Sequence, residues 1–240
     1  MYTNIKLDHI WDRKSTKFLS KMLKIIIMGQ GSQTIQLIRE LFSLGVTPNN
    51  LKALTVGGTF NLSFIEFLTY YKIGYGICDI NNFKTETHSL ISNFVPDIVI
   101  SFSNPFIIHK EILSLNTKFI NFHPGILPNY KGSLSTVHSL IKNETFVGGT
   151  WHYIDEYIDT GNIIKVVKTP SKNLNAFTLN HKIFSLGIHF LGEIIEKVKN
   201  NYSGTTQKKH GSFYSNKFPD VSKLDVELQK KILYFPPKFL

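Results

Sequence analysis

The segment from Leu23 to Ser32 reads Leu-Lys-Ile-Ile-Ile-Met-Gly-Gln-Gly-Ser, and it decides the fold class. A short apolar run rich in β-branched residues predicts a buried parallel strand. Two glycines end the run, and apolar residues then recur at helical spacing, at Ile35, Leu37, Ile38 and Leu41. The order of strand, glycine-containing turn and helix is typical of the first unit of an α/β sheet.

The same alternation continues along the chain. Further strands are predicted over Leu51–Val56, Tyr75–Cys78, Asp97–Phe102 and Lys118–Phe122, with helices over Leu62–Tyr71, Lys84–Phe94 and His109–Leu113. After an ordered loop, the pattern predicts a helix over Ser135–Ile141, strands over Gly148–Ile154 and Asn162–Lys168, and one long helix over Leu174–Asn200. The remaining tail is rich in Ser, Gly, Lys, Thr and Pro and is expected to hold a short element or two.

These elements predict a Rossmann-like, mainly parallel twisted sheet with flanking helices, in the α/β class. Right-handed crossovers place the loops that follow parallel strands at one edge of such a sheet, and ligands bind there. We expect an N-terminal extension over residues 1–21, a catalytic domain over residues 22–200 and a short C-terminal extension over residues 201–240.

Composition limits the function classes. The chain has 240 residues with 27 Lys and Arg against 17 Asp and Glu, a formal charge of +10, which favours an anionic partner. The single cysteine, Cys78, excludes an intramolecular disulfide framework and a multi-cysteine zinc site. No apolar stretch of membrane-spanning length and no signal-peptide pattern are found, so we expect a cytoplasmic enzyme without a membrane partner.

Three short pieces carry candidate chemistry: Asn121-Phe122-His123-Pro124, then Tyr130-Lys131-Gly132, and finally His152 with Asp159-Thr160-Gly161. An amide donor and an imidazole at one site are able to stabilise a developing oxyanion. Asp159 is suited to accept a proton, or to pair with His123 and raise its pKa. No serine or cysteine lies in a nucleophile-elbow motif, so direct transfer is favoured over a covalent enzyme intermediate.

These residues resemble the formyltetrahydrofolate-dependent formyltransferase family. That family shows an Asn-x-His-Pro-x-x-Leu-Pro run, which stands here at residues 121–128, and a Gly-x-Thr-x-His strand, which stands here at residues 148–152. An Asp-x-Gly turn follows at residues 159–161, so Asn121 and Asp159 are 38 positions apart, a spacing typical of compact members. The resemblance implies the formyltransferase fold and direct transfer of a formyl group to an amine.

The resemblance also implies roles for residues. Asn121, His123 and Asp159 would be catalytic, with a protonated His123 stabilising the oxyanion. From its place in a predicted strand, His152 is interpreted as a hydrogen-bonded histidine that supports them. N10-formyltetrahydrofolate would be the co-substrate, with no metal, and its pterin would lie against the loop Ser103, Asn104, Pro105, Phe106 and Ile107 and against Asp155 and Tyr157. Candidate acceptor contacts are Tyr130, Lys131 and Gly132, together with Gly29, Gln30 and Ser32, whose amides are placed to bind phosphate or simply form a tight turn.

Family acceptors include methionyl-tRNA, glycinamide ribonucleotide and nucleotide-linked amino sugars. Only 40 residues follow Asn200, which disfavours the tRNA and hence a nucleic-acid partner. The run Gly29-Gln30-Gly31-Ser32-Gln33 lacks the asparagines of the purine enzymes. We therefore expect a sugar N-formyltransferase that acts on dTDP-4-amino-4,6-dideoxyglucose for O-antigen and lipopolysaccharide synthesis. Its apolar end at residues 232–237 is expected either to cover a homodimer interface or to fold back on its own core. The purine enzyme and a non-catalytic binding module are the alternatives.

Overall fold

The computed structural model describes residues 23–172, 174–207 and 211–233. The predicted N-terminal extension over residues 1–21 lies outside these ranges, as does most of the apolar end that was considered for a dimer interface. Within the described residues, no helix is both long and apolar enough to cross a membrane.

A seven-stranded sheet forms the centre of the molecule, in the order β3-β2-β1-β4-β5-β7-β8. Its strands are β1 (Ile25–Gly29), β2 (Leu51–Val56), β3 (Gly74–Cys78), β4 (Ile98–Phe102), β5 (Lys118–His123), β7 (Phe146–Tyr153) and β8 (Ile163–Pro170). The first five are parallel, whereas β7 and β8 pair in antiparallel fashion. Two short strands, β6 (Lys131–Gly132) and β9 (Phe213–Tyr214), pair separately. The predicted α/β class with a mainly parallel sheet is confirmed.

Eight helices flank the sheet within the described ranges. They are α1 (Gly31–Ser43), α2 (Leu62–Tyr70), α3 (Phe83–Phe94), α4 (Lys110–Leu113), α5 (Ser135–Ile141), α6 (Ala176–His189), α7 (Leu191–Lys199) and α8 (Val226–Leu233). Short 3-10 turns cover Pro48–Asn50 and Thr59–Asn61. The tail thus contributes one strand and one helix, in agreement with the expectation of a short element or two.

The long helix predicted over residues 174–200 is in fact two helices. It begins only after Asn175, whose side-chain oxygen accepts the N–H of Thr178 at 2.8 Å and caps α6. At Phe190 the backbone turns to φ −94° and ψ 6°, and its N–H bonds to the carbonyl of Ile188, which interrupts the helical ladder. Gly187 and Gly192 flank this break, but the apolar spacing continues across it, and that spacing predicted one continuous helix.

The order of the strands reverses between β1 and β4, because β2 lies on one side of β1 and β4 on the other. The loops after these two strands therefore diverge and leave a crevice at the carboxyl end of the sheet. Gly29 closes β1 against β4 so tightly that an added Cβ would lie 2.0 Å from the carbonyl oxygen of Phe102. This close approach accounts for a glycine at position 29.

Candidate active site

The pairing of β5 with β7 places a row of polar side chains on one face of the sheet. Asn121 lies opposite His152, and His123 lies opposite Thr150. Because alternate residues of a strand face the same side, all four side chains share one face. His123, Thr150 and His152 are buried, which is unusual for a polar row and requires hydrogen-bond partners.

The opposite face of the same two strands is aromatic. Phe122 and Trp151 pack with their ring centroids 5.1 Å apart, and the Trp151 indole donates to the carbonyl of Gly187 at 2.9 Å. Gly187 lies against Phe122 so closely that a Cβ there would be 2.5 Å from the ring. The aromatic layer therefore anchors β5 and β7 to α6 and fixes the position of the polar row.

Asp159 reaches the polar row from the turn between β7 and β8. Its backbone adopts a left-handed φ of 55°. Its Oδ2 is 3.3 Å from His123 Nδ1 and accepts the N–H of Gly132 at 2.7 Å, and its Oδ1 is 3.5 Å from His152 Nε2. One carboxylate thus links two histidines and the loop that follows β5.

His152 connects Asp159 with Asn121. Its Nδ1 is 2.7 Å from the carbonyl of Tyr153, which requires an N–H on Nδ1, and Asn121 Nδ2 donates toward Nε2 at 3.1 Å. An amide nitrogen carries two N–H groups, and this contact uses one of them. Because Asn121 is only partly buried, the other N–H has access to a ligand.

Both ring nitrogens of His123 face oxygen acceptors. Nδ1 faces Asp159, and Nε2 contacts the backbone carbonyl of Tyr130, with Ser135 Oγ 3.1 Å from Nε2. A neutral imidazole has a single N–H and satisfies only one of the two acceptors, whereas an imidazolium satisfies both. The pair of His123 and Asp159 therefore offers a place for one further proton.

Burial and neighbouring groups determine the charge of this pair. Burial lowers the pKa of His123, even though the Asp159 carboxylate and the Tyr130 carbonyl act to raise it. For Asp159, burial acts to raise the pKa, but the contacts with His152, His123 and the Gly132 N–H outweigh it and lower the pKa. The protonated His123 stays a prediction, because desolvation opposes the charge whereas the Asp159 carboxylate and the Tyr130 carbonyl favour it.

The site lies on a face of the sheet as well as at its edge. The sequence interpretation expected ligands at the carboxyl edge of the parallel strands and placed Asp159 in a turn between two later strands. Because β7 runs antiparallel to β5, the turn after β7 starts from the other end, and Asp159 returns over the face to reach His123. The sequence pattern did not predict the direction of β7 relative to β5.

The segment that follows His123 is held by residues to which the sequence interpretation gave no role. The Thr150 hydroxyl donates to the carbonyl of Gly125 at 2.7 Å and accepts the N–H of Leu127 at 3.1 Å. Ser135 donates to the Tyr130 carbonyl at 3.1 Å. Thr150 belongs to the Gly-x-Thr-x-His motif, which was the one available signal, whereas Ser135 had none.

Two of the predicted acceptor contacts are engaged inside the protein. The Tyr130 side chain is 4% exposed, its hydroxyl donates to Glu144 at 2.5 Å, and its ring stacks on Tyr214 at 5.8 Å. A direct acceptor contact through this side chain is therefore wrong, because the ring points inward. The Gly132 N–H is taken by Asp159. Lys131 is partly exposed in β6.

The loop at the end of β1 shows mixed evidence for phosphate binding. The N–H of Gly31 is already bonded to Asn61 Oδ1 at 3.1 Å. Ser32 is exposed in the first turn of α1, and Gln30 Oε1 is buried with no hydrogen-bond partner among the described residues. Gly29 is explained by its packing, and the phosphate role of the other residues stays a prediction.

The segments predicted to hold the pterin present apolar side chains and backbone groups to solvent. In the loop after β4, Ser103 has a left-handed φ of 56°, and the Asn104 side-chain oxygen accepts the N–H of Phe106 at 3.2 Å. Pro105 and Ile107 in the same loop are exposed. In the turn after β7, Asp155 accepts the Thr160 hydroxyl at 2.6 Å and Tyr157 is 73% exposed. Exposed apolar groups beside backbone donors and acceptors suit a flat heteroaromatic ligand. The described residues hold no cluster of three metal-ligating side chains.

Comparison with known proteins agrees with this geometry. The family described as Formyl transferase matches residues 76–186, a range that contains all four residues of the cluster formed by Asn121, His123, His152 and Asp159. The chain thus contains a formyl transferase domain over these residues. The enzyme is thus a formyltransferase, and the predicted recognition is confirmed.

Relatives of this formyltransferase act on different acceptors. The GDP-perosamine N-formyltransferase of Brucella melitensis is 26% identical over 224 residues, which cover 89% of this chain and 86% of the relative. A sugar N-formyltransferase from Shewanella sp. has a TM-score of 0.66 at 19% identity and covers 81% of this chain and 77% of the neighbour.

Two further solved structures bear on the ligands. The Helicobacter canadensis N-formyltransferase in complex with folinic acid and dTDP-3-aminofucose has a TM-score of 0.64 at 22% identity, covering 81% of this chain and 71% of the neighbour. A phosphoribosylglycinamide formyltransferase from Anaplasma phagocytophilum has a TM-score of 0.65 at 19% identity and covers 82% of this chain and 100% of the neighbour. At these identities the structural likeness shows the shared fold.

Proposed function

We propose that the protein transfers the formyl group of N10-formyltetrahydrofolate to the amine of a nucleotide-linked amino sugar. The observation that carries this proposal is the cluster of Asn121, His123, His152 and Asp159 within a formyl transferase domain, in which the two histidines are buried. The sugar class is supported by the relative that acts on GDP-perosamine, because its similarity extends over most of both chains.

The residues present fit a bound formyl folate. When bound, it supplies the formyl carbon that the acceptor amine attacks. The loop Ser103–Ile107 and the turn with Asp155 and Tyr157 are proposed to hold its ring system, because they expose apolar groups beside backbone polar groups. A net charge of +10 further favours the glutamate tail of a folate and a pyrophosphate-bearing acceptor.

The cluster is suited to direct transfer. The free N–H of Asn121 donates to the oxygen on which negative charge develops, as in an oxyanion hole. The pair of His123 and Asp159 is proposed to receive the proton that the attacking amine loses, because both nitrogens of His123 face acceptors and an imidazolium satisfies both. In the net reaction one N–C bond forms, the bond from the formyl carbon to the folate nitrogen breaks, and a proton moves from the amine to that nitrogen.

Proximity provides the rest of the acceleration, because an amine needs only deprotonation and alignment to attack. His152 is proposed to fix the orientation of Asn121 through the contact at 3.1 Å, and its Nε2 also lies 3.5 Å from Asp159 Oδ1. Lys131 and the loop Gly29–Ser32 are proposed to face the anionic part of the acceptor.

An acceptor screen tests this function. The full chain is mixed with N10-formyltetrahydrofolate and, separately, dTDP-4-amino-4,6-dideoxyglucose, its galactose epimer, a dTDP-linked 3-amino sugar, GDP-perosamine and glycinamide ribonucleotide. The gain of one formyl mass is then followed for each acceptor. We expect formylation of at least one nucleotide-linked amino sugar. The identity of that sugar then decides whether the predicted role in O-antigen synthesis applies. Formylation of glycinamide ribonucleotide alone would overturn the sugar assignment.

A pair of variants connects the activity with the site. Asp159→Asn keeps the shape of the side chain but loses its charge, and we expect at least a hundredfold loss of turnover. Asp220→Asn makes the same chemical change at an exposed position in the tail, and it should leave turnover unchanged. Equal activity of the two variants would place the chemistry elsewhere.

A further inference from the structure

The turn that carries Asp159 is held in an unfavourable backbone conformation. A left-handed φ of 55° is uncommon for a residue with a side chain and costs free energy unless surrounding contacts stabilise it. Two residues on, Gly161 lies so close to Tyr153 that an added Cβ would be 1.9 Å from its carbonyl oxygen. The direction of the Asp159 carboxylate therefore depends on whatever fixes this turn.

The side chain of Gln207 bridges the turn. Its Nε2 donates to the carbonyl of Asp159 at 3.0 Å and to the carbonyl of Gly161 at 2.8 Å. Both hydrogens of the amide are thus used on the two ends of one short turn. Gln207 lies 46 residues beyond Gly161, so this contact is made by the tail and not by the hairpin itself.

The oxygen of the Gln207 amide indicates that the two N–H donors, and not the oxygen, account for an amide at this position. Gln207 Oε1 is buried and has no hydrogen-bond partner among the described residues. A buried polar atom without a partner is costly. The tail therefore keeps an amide here at a cost, which its two donated hydrogen bonds offset.

The same tail also holds the partner of Asp159. The Lys131 N–H donates to the carbonyl of Ser212, and the Ser133 N–H donates to the carbonyl of Tyr214, both at 2.9 Å. These bonds flank Gly132, whose N–H binds Asp159 Oδ2. The tail thus fixes both sides of the contact between the loop after β5 and the Asp159 carboxylate.

We propose that Gln207 is a positioning residue for formyl transfer, which fixes the Asp159–Gly161 turn so that the Asp159 carboxylate faces both His123 and His152. This inference rests on the proposed function of Asp159. Gln207 acts through the backbone of Asp159 and needs no contact with substrate.

The test compares Gln207→Met with a matched control in the full chain. Methionine keeps the length of the side chain but removes the amide donors. Gln229 makes a similar bridge in the tail, with Nε2 donating to the carbonyls of Leu224 at 2.8 Å and Ser222 at 3.4 Å, and Gln229→Met therefore removes a comparable contact away from the cluster. Thermal unfolding of both variants establishes that they fold.

We expect Gln207→Met to lower kcat at least tenfold with KM values within twofold, and Gln229→Met to leave both constants unchanged. The double variant Gln207→Met/Asp159→Asn should be no slower than Asp159→Asn alone, because residues that act through one another are not additive. Losses that multiply, or a Gln207→Met enzyme with turnover within twofold of wild type, would overturn the proposal. If Gln207→Met does not fold, Gln207→Glu, which also lacks the amide donors, replaces it with the same expectations.

A second measurement separates this inference from the proposed function. The ring of His123 is titrated by NMR in histidine-labelled protein, with His123→Gln assigning the signal. The groups facing this ring are the Asp159 carboxylate, the Tyr130 carbonyl, Ser135 and His152. Gln207→Met should lower the midpoint relative to wild type, because a displaced carboxylate supports the imidazolium less, and Gln229→Met should not change it. An unchanged midpoint contradicts the positioning role, whereas a lowered midpoint in a protein that formylates no acceptor would refute only the proposed function.

Discussion

The hydroxyl of Thr150 allows the hydrogen bonds beneath the active site to be measured in free energy. Thr150 is 0% exposed, and its hydroxyl bonds to Gly125 and Leu127 at 2.7 and 3.1 Å. Thr150→Val keeps the volume but leaves a buried N–H and a carbonyl without this partner. Leaving a buried group unsatisfied costs about 1–3 kcal/mol, so we expect a loss of about 2–3 kcal/mol in the free energy of unfolding.

Thr87 is the matched control for this experiment. It is also 0% exposed, in α3, but its hydroxyl has no hydrogen-bond partner among the described residues. Thr87→Val therefore removes an unsatisfied buried hydroxyl and should be neutral or stabilising by up to about 1 kcal/mol.

Urea unfolding of the two variants and wild type, fitted with a common m-value, gives the comparison. The expected difference between Thr150→Val and Thr87→Val is about 3 kcal/mol, which corresponds to roughly 6–12 °C in Tm for a chain of this size. Equal stabilities would refute the reasoning, because burial is the same at both sites and only the hydrogen bonds differ. Thr150→Ser, which keeps the hydroxyl, should recover most of the loss.

Three further predictions follow from the packing and the charges. Gly149→Ala would place a Cβ 2.3 Å from the Phe122 ring, and we expect it to lower the free energy of unfolding in urea by about 1–3 kcal/mol. An unchanged unfolding midpoint would mean that the ring repacks freely. Burial raises the pKa of Cys78 to about 11. At pH 8 a thiol reagent should therefore label the folded chain about a hundredfold more slowly than the chain unfolded in urea, because the thiolate is the reactive form. Similar labelling rates would contradict the burial of Cys78. Burial lowers the pKa of His123, so its contribution to the free energy of unfolding is present above about pH 6.5 and is lost as the pH falls through the pKa of the folded state. Wild type should therefore lose more stability than His123→Gln between pH 7.5 and 5.5.

Much of the fold was predictable because each parallel strand is a short buried apolar run. The predicted strand over residues 51–56 and the predicted helix over residues 135–141 agree with the structure at both ends. The break at Phe190 was not predictable, since an apolar stripe continues from α6 into α7 and only the local backbone interrupts the ladder.

Part of the candidate site was also predictable from the sequence, for a different reason. Asn121 and His123 are two apart on one strand, so a shared face follows from strand geometry alone. That Asp159 meets them required the resemblance, because its turn folds back over the sheet. Gln207 carried no signal, since its role depends on contacts with residues 46 and 48 positions away.

Tyr130 shows the opposite error. Its place in the loop after His123 suggested a contact with the acceptor. Its burial is due to Glu144 and to Tyr214, which lies in the tail, and pairing of β6 with β9 brings that tail to the loop. Long-range strand pairing of two residues each is beyond what local sequence patterns specify.

The most direct test of the central claim is turnover by Asn121→Asp with the acceptor that the screen identifies. The change is nearly isosteric but replaces the N–H donor that faces His152 and the developing oxyanion with a carboxylate. Removing one such donor costs about 10²–10³ in kcat, so we expect a loss of that size, with no loss in Asn93→Asp at an exposed position of α3. A folded Asn121→Asp enzyme with turnover within tenfold of wild type would contradict the account, because the formyl oxygen would then be stabilised by other groups.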